Sequence, residues 1–202
     1  MVSTNLHLSL VRPAHEGVLR MRSQVLRVGR DAVVTDVLVG EESAPVARGI
    51  LTSAVLTPAA GPPSLPRPVE MVTSEPAGST TTPYREFFAI SPGEAPGVCL
   101  LDLRDHLRNP WGILHGVAIV VLVDDAAVRL GELVFGRPAV TTTMTVQFLR
   151  PARIGPVEAR AEAAGTPSAR TGPVVRVELR DLGADRTVAL ATARLRAWHV
   201  AV

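Results

Sequence analysis

The 202-residue chain is 47% hydrophobic with a mean hydropathy of +0.24, ample apolar material for a packed core, which excludes a disordered chain. Its pI near 9.4 reflects 21 basic residues that are all arginine, yet the formal charge is only +2 and aromatics make up 3%, which argues against a nucleic-acid surface of clustered cations and stacking rings. The single cysteine, Cys99, leaves no disulfide framework, and the longest apolar run, residues 117–123, falls well short of the ~20 residues of a membrane span, so a soluble, cytoplasmic protein is expected.

In chain order, residues 35–39 and 47–55 alternate apolar and polar positions, the period of strands with one face on a core. Residues 58–83 then carry seven prolines, at 58, 62, 63, 66, 68, 76 and 83. Proline's fixed φ and missing N–H keep such a segment out of a sheet interior or a regular helix, so it is expected to be a linker. The two sides of it are related. Leu10-Val11-Arg12-Pro13-Ala14 matches Phe148-Leu149-Arg150-Pro151-Ala152 at an offset of 138, with Gly17 and Gly155 three positions beyond, and strand patterns follow both copies. A duplicated unit is the economical explanation.

Beyond the linker, short strands are expected at residues 86–90 and 98–103. The most informative stretch comes next: Asn109-Pro110-Trp111-Gly112-Ile113-Leu114-His115-Gly116, the apolar run, then Asp124-Asp125. A carboxylate two turns into so apolar a helix is costly unless it performs chemistry. The spacing predicts a helix from residue 113 to about 132, apolar on nearly all sides and therefore buried, with Gly116, Ala118, Ala126 and Ala127 allowing close approach to a curved sheet and Gly131, Gly136 and Pro138 marking its end. Strands follow, with Val157, Ala159, Ala161 and Ala163, then Val175, Val177 and Leu179, then Ala189, Ala191, Ala193, Leu195 and Ala197 alternating with polar residues.

A central helix wrapped by an antiparallel sheet, with Asn-x-x-Gly-x-x-His-Gly before it, an Asp inside it and Phe-Leu-Arg-Pro-Ala after it, resembles the hotdog fold. Within that fold it resembles the PaaI-like acyl-CoA thioesterases of the 4HBT group. The resemblance implies an α+β tandem: residues 1–57 a partial, sheet-only repeat, 58–83 the linker, and 84–202 a complete hotdog unit. It also implies roles. Asp124 would be general base or nucleophile, Gly116 N–H the oxyanion donor and Asn109 the group that orients thioester or water. Thr141 would help to place the water, and His115 would support the motif. General chemistry agrees, because the free N–H groups of a helix start stabilise a developing oxyanion, and a poorly solvated carboxylate is a better base near neutral pH.

Two departures from the family pattern matter. The usual His-Gly-Gly reads His115-Gly116-Val117, which is expected to crowd the helix start. Ser3 aligns with Thr141, which places the first repeat's helix and its Asp upstream of Met1. Family sites are built across two hotdog units, so one chain holds one of each half-site and homo-oligomers are expected.

Each residue also has a plainer role. Asp124 could be a structural partner for an arginine, Asn109 a turn former before Pro110, Gly116 a packing glycine, Thr141 ordinary strand composition and His115 a packing residue. Asp125, about 100° around the helix from Asp124, is expected to be a solvent or interface charge. His7, His15, His106 and His199 share no ligand spacing, so no metal or redox cofactor is expected. There is no GxSxG elbow and no phosphate-binding glycine loop, and the spacing after Asn109-Pro110 argues against the hotdog dehydratases and hydratases. The expected activity is hydrolysis of an acyl- or aryl-CoA thioester to CoA and a carboxylic acid, with no nucleic-acid or membrane partner. The alternative is a non-catalytic acyl-CoA-binding module or a degenerate, truncated hotdog protein.

Overall fold

The computed structural model describes residues 1–14, 18–41, 43–56, 82–165 and 172–198. Nearly all of the expected linker, and also His15 and His199, lie outside the described residues. The elements are β1 (Val2–Leu10), β2 (Met21–Val28), β3 (Ala32–Glu41), β4 (Ala44–Ala54), α1 (Tyr84–Phe87), β5 (Ile90–Pro92), β6 (Val98–Leu101), a 3-10 turn (Asp105–Leu107), α2 (Gly116–Phe135), β7 (Ala139–Phe148), β8 (Val157–Ala163), β9 (Val174–Asp181) and β10 (Arg186–Ala197). The strands form one antiparallel sheet in the order β2-β3-β4-β1-β7-β10-β9-β8-β6-β5.

α2 packs across β6 to β10, burying Leu122, Val123 and Ala126 against Val146, Val177, Ala191 and Ala193. The small side chains along β10 let it lie close. Gly131 is the extreme case, since a Cβ there would fall 2.6 Å from Leu195 Cδ1. This glycine is therefore a contact point inside the helix and not its stop; α2 runs on to Phe135 and ends at Gly136, whose φ of +64° suits a left-handed cap. At the other end the helix starts at Gly116, later than residue 113, because Leu114 is bridged to Arg108 and Ile113 accepts from Asn109 N. The expected strand at residues 86–90 is replaced by the helical turn α1, with β5 beginning at Ile90, and β6 stops at Leu101.

The order β2-β3-β4-β1 mirrors β8-β9-β10-β7, and the register agrees residue by residue. His7 pairs with Thr145, its own mate at the offset of 138, so the two repeats meet about a pseudo-twofold axis. Bulges coincide too. Thr4 in β1 and Thr142 in β7 are the extra residues of their ladders, and each hydroxyl bonds the carbonyl across the strand, Thr52 O and Arg194 O respectively, both at 3.1 Å. Among the described residues the first repeat has four strands and no helix of its own. On the face equivalent to the one α2 covers it presents Leu6, Leu8, Leu51, Val37 and Val39 without a charge.

Candidate active site

The motif turn is self-contained. Asn109 Oδ1 accepts from Trp111 N at 3.0 Å and more weakly from Ile113 N at 3.4 Å, while Gly112, at φ +69°, donates to Asn109 O. The side-chain oxygen of Asn109 is therefore spent on its own turn, and its Nδ2 donors have no partner among the described residues. His115 is the helix N-cap, its Nδ1 accepting from Val117 N at 3.2 Å. Gly116, the first helical residue, has an N–H with no acceptor among the described residues, and its Cα faces the edge of the Phe148 ring. The expected crowding by Val117 does not occur, because that side chain turns outward and is 53% exposed.

Two turns on, Asp124 accepts a hydrogen bond from Thr141 Oγ1 at 2.5 Å. Burial among valines raises the Asp124 pKa above the usual carboxylate range, the Thr141 bond pulls it back, and the neighbouring Asp125 charge pushes it up again. Thr141 reaches Asp124 because of the bulge at Thr142. Met144 and Val146 face α2, so strict alternation would turn Thr141 to the opposite side; the extra residue switches parity and sets Thr141 on the helix-facing side opposite Leu195.

Asp125 is not a solvent charge. Its side chain is fully buried and accepts from Tyr84 Oη at 2.7 Å, Arg85 Nε at 2.6 Å, Arg129 Nε at 2.8 Å and Cys99 Sγ at 3.2 Å. Burial raises its pKa, but the bonds from Arg129, Tyr84, Arg85 and Cys99 outweigh that and hold it at about 2. In return Tyr84 and Cys99 are each raised to about 12, by burial first and then by the bond to Asp125. The clamp ties α1 and β6 to α2. Sequence reasoning missed it because three of the four donors come from 26 to 41 residues away, and only the i, i+4 Arg129 was visible as a signal.

The structure brings Asp124 and Thr141 together and keeps Asn109, His115 and Gly116 together. It does not join the two groups, since eight residues of helix separate Gly116 from Asp124 by about 12 Å. Among the described residues no group of three His, Cys, Asp or Glu side chains is placed to hold a metal, and no helix is long and apolar enough to cross a membrane.

This architecture, one long helix on a broad antiparallel sheet that is joined edge to edge to the strands of the first repeat, is the hotdog fold. Within it, residues 112–184 match the model of the Thioesterase superfamily, 4HBT, and the chain resembles the thioesterases built on this fold. The AziG protein of S. sahachiroi is 25% identical, with a TM-score of 0.52 over 59% of this chain and 98% of its own. A conserved protein with a hot dog fold from Alicyclobacillus acidocaldarius is 14% identical, with a TM-score of 0.60 over 98% of this chain and 80% of its own. The 12:0-ACP thioesterase of Umbellularia californica is also 14% identical, with a TM-score of 0.59 over 96% of this chain and 72% of its own. No curated protein matches the chain.

Proposed function

We propose that the protein hydrolyses an acyl- or aryl-CoA thioester in the cytoplasm, without a cofactor. The observation that carries this reading is the Asp124–Thr141 pair, a poorly solvated carboxylate bonded to a hydroxyl within an apolar helix face, in a segment that matches the Thioesterase superfamily. Asp124 takes a proton from water as that water attacks the thioester carbonyl, and Thr141 helps to place the water. The oxyanion is held by a Gly116 N–H, and the Nδ2 donors of Asn109 orient the thioester. Collapse of the intermediate breaks the C–S bond, and the proton passes from Asp124 to the CoA sulfur. His115 caps the donor helix and contributes no proton.

Donor and base stand too far apart on one helix to meet on one carbonyl, so a second copy supplies the complement. The β7 edge is already paired with β1, so the partner does not extend the sheet there. It meets this chain through the partly exposed stripe of α2 formed by Val117, Val121, Asp124 and Val128. Antiparallel packing of two such stripes about a twofold near Val121 brings Gly116 and Asn109 of one chain to Asp124 and Thr141 of the other.

The test follows thiol release from a panel of acyl- and aryl-CoAs. Turnover should fall at least about 100-fold in Asp124→Asn with little change in KM, because a lost base removes transition-state stabilisation only. Equal rates for wild type and variant would assign the activity elsewhere. The non-catalytic alternative is favoured by one observation, the absence of a helix in the first repeat among the described residues; CoA-ester binding without turnover would establish it.

A further inference from the structure

Asp181, at the end of β9, is fully buried, and no step above uses it. Its carboxylate gathers four backbone N–H groups: Arg153 at 2.8 Å and Ile154 at 3.1 Å on Oδ2, Gly155 at 2.8 Å and Ala184 at 3.2 Å on Oδ1. Three of the four belong to the loop that follows β7. That loop in turn carries the motif turn, since Ala152 O accepts from Leu114 N at 3.0 Å and Arg153 O accepts from Arg108 Nη1 at 3.1 Å. The same Arg108 nitrogen donates to Gly112 O at 2.8 Å inside the turn. A chain of hydrogen bonds therefore runs from Asp181 through residues 152–155 to the segment that presents Gly116.

The first repeat serves as an internal control. It keeps the Arg-Pro-Ala sequence and its anchor, with Val11 N and Arg12 N both donating to Val46 O as Leu149 N and Arg150 N both donate to Val188 O. Val46 and Val188 are also equivalent bulge residues, which sets Glu41, paired with Ala44, in the place of Asp181, paired with Arg186. The Glu41 side chain is exposed and has no hydrogen-bond partner among the described residues, and residues 15–17, the counterparts of 153–155, lie outside them. The loop anchor common to both repeats thus needs no buried carboxylate. Among the described residues, only the repeat that carries α2 has one.

We infer that Asp181 is a positioning residue, which sets the Asn109–Gly116 turn, and with it the oxyanion donor, through the loop of residues 152–155. The bonds from Arg153, Ile154, Gly155 and Ala184 keep its pKa low against the opposing effect of burial, so it works as a charged acceptor. An amide has one acceptor oxygen where the carboxylate has two, so Asp181→Asn loses one pair of these bonds while keeping its size.

This inference rests on the thioesterase reading for its kinetic consequence, but its structural half can be measured alone. In Asp181→Asn, and separately in Arg108→Met, which leaves the buried anchor intact, amide exchange at Leu114 and His115 should quicken while that of the β10 core stays unchanged. Per folded molecule, kcat should fall about 10- to 100-fold with KM and the acid limb of the pH profile unmoved, as expected when a donor is misplaced by a fraction of an ångström. Unchanged exchange at Leu114 and His115 in both variants would overturn the inference, even if the wild type hydrolyses no thioester. Quickened exchange with kcat unchanged in an active enzyme would also overturn it, leaving Asp181 a purely structural anchor.

Discussion

At the scale of single residues, two adjacent carboxylates on one helix have opposite fates. Asp124 is set against a hydroxyl and apolar walls, so its pKa is raised; Asp125 is set among four donors, so its own is lowered to about 2. A base must be ionised to act, so kcat should be lost as pH falls through the raised Asp124 value, giving an acid limb above the ordinary carboxylate range. Thr141→Val removes the bond that pulls this value down and should move the limb to higher pH, which a pH profile of kcat will show. For Asp125 the sign is reversed. A depressed folded pKa stabilises the protein above the ordinary value of 3.8, and that contribution is lost as pH falls towards about 2. Urea midpoints should therefore drop between pH 4 and 2 in the wild type and change less in Asp125→Asn. Asp125→Ala should cost about 3 kcal/mol at neutral pH, at the low end for a broken buried pair because Arg85 and Arg129 keep access to water. Asp124 could be picked out from sequence as the first of two acids that end an apolar run. The burial of its neighbour could not, because Tyr84, Arg85 and Cys99 come from elements whose arrival there depends on the whole fold.

At the scale of elements, α2 was the most legible part of the chain. Its apolar run, its capping region and the small residues on β10 all required a buried helix, and only its ends shifted, by about one turn. The alternating strands β8 to β10 were equally plain. The bulge at Thr142 was not, since Thr141-Thr142-Thr143 has no local feature that says which hydroxyl faces the helix. The short turn α1 reads as a strand from sequence because aromatic residues such as its Tyr84 and Phe87 are enriched in strands. One motif departure also resolves at this scale. Val117, in place of a second glycine, turns outward into the stripe that the proposed partner chain meets, so Val117→Gly should weaken association of the two chains and give no large gain in kcat. The substitution should lower thermal stability by a cost of up to about 1 kcal/mol, the usual penalty of glycine within a helix. A large gain in kcat would show that the valine obstructs the site.

At the scale of the molecule, the repeat offset of 138 was readable in a pentapeptide and reappears as the register of the β1–β7 junction, where His7 meets Thr145. How the two repeats join could not be read, because strand partners are chosen by edges and bulges and not by composition. The junction bears on the proposed assembly: it closes the β7 edge, so the second chain of that proposal is assigned to the partly exposed stripe of α2, apolar except for Asp124. The most direct measurement mixes Asn109→Ala chains with Asp124→Ala chains, each inactive alone, and lets subunits exchange. If one chain supplies the donor and the other the base, random pairing restores roughly a quarter of the wild-type sites, so the mixture should recover about that share of acyl-CoA hydrolysis. A mixture that stays inactive after demonstrated exchange, or a wild type that is fully active as a monomer, would contradict the account.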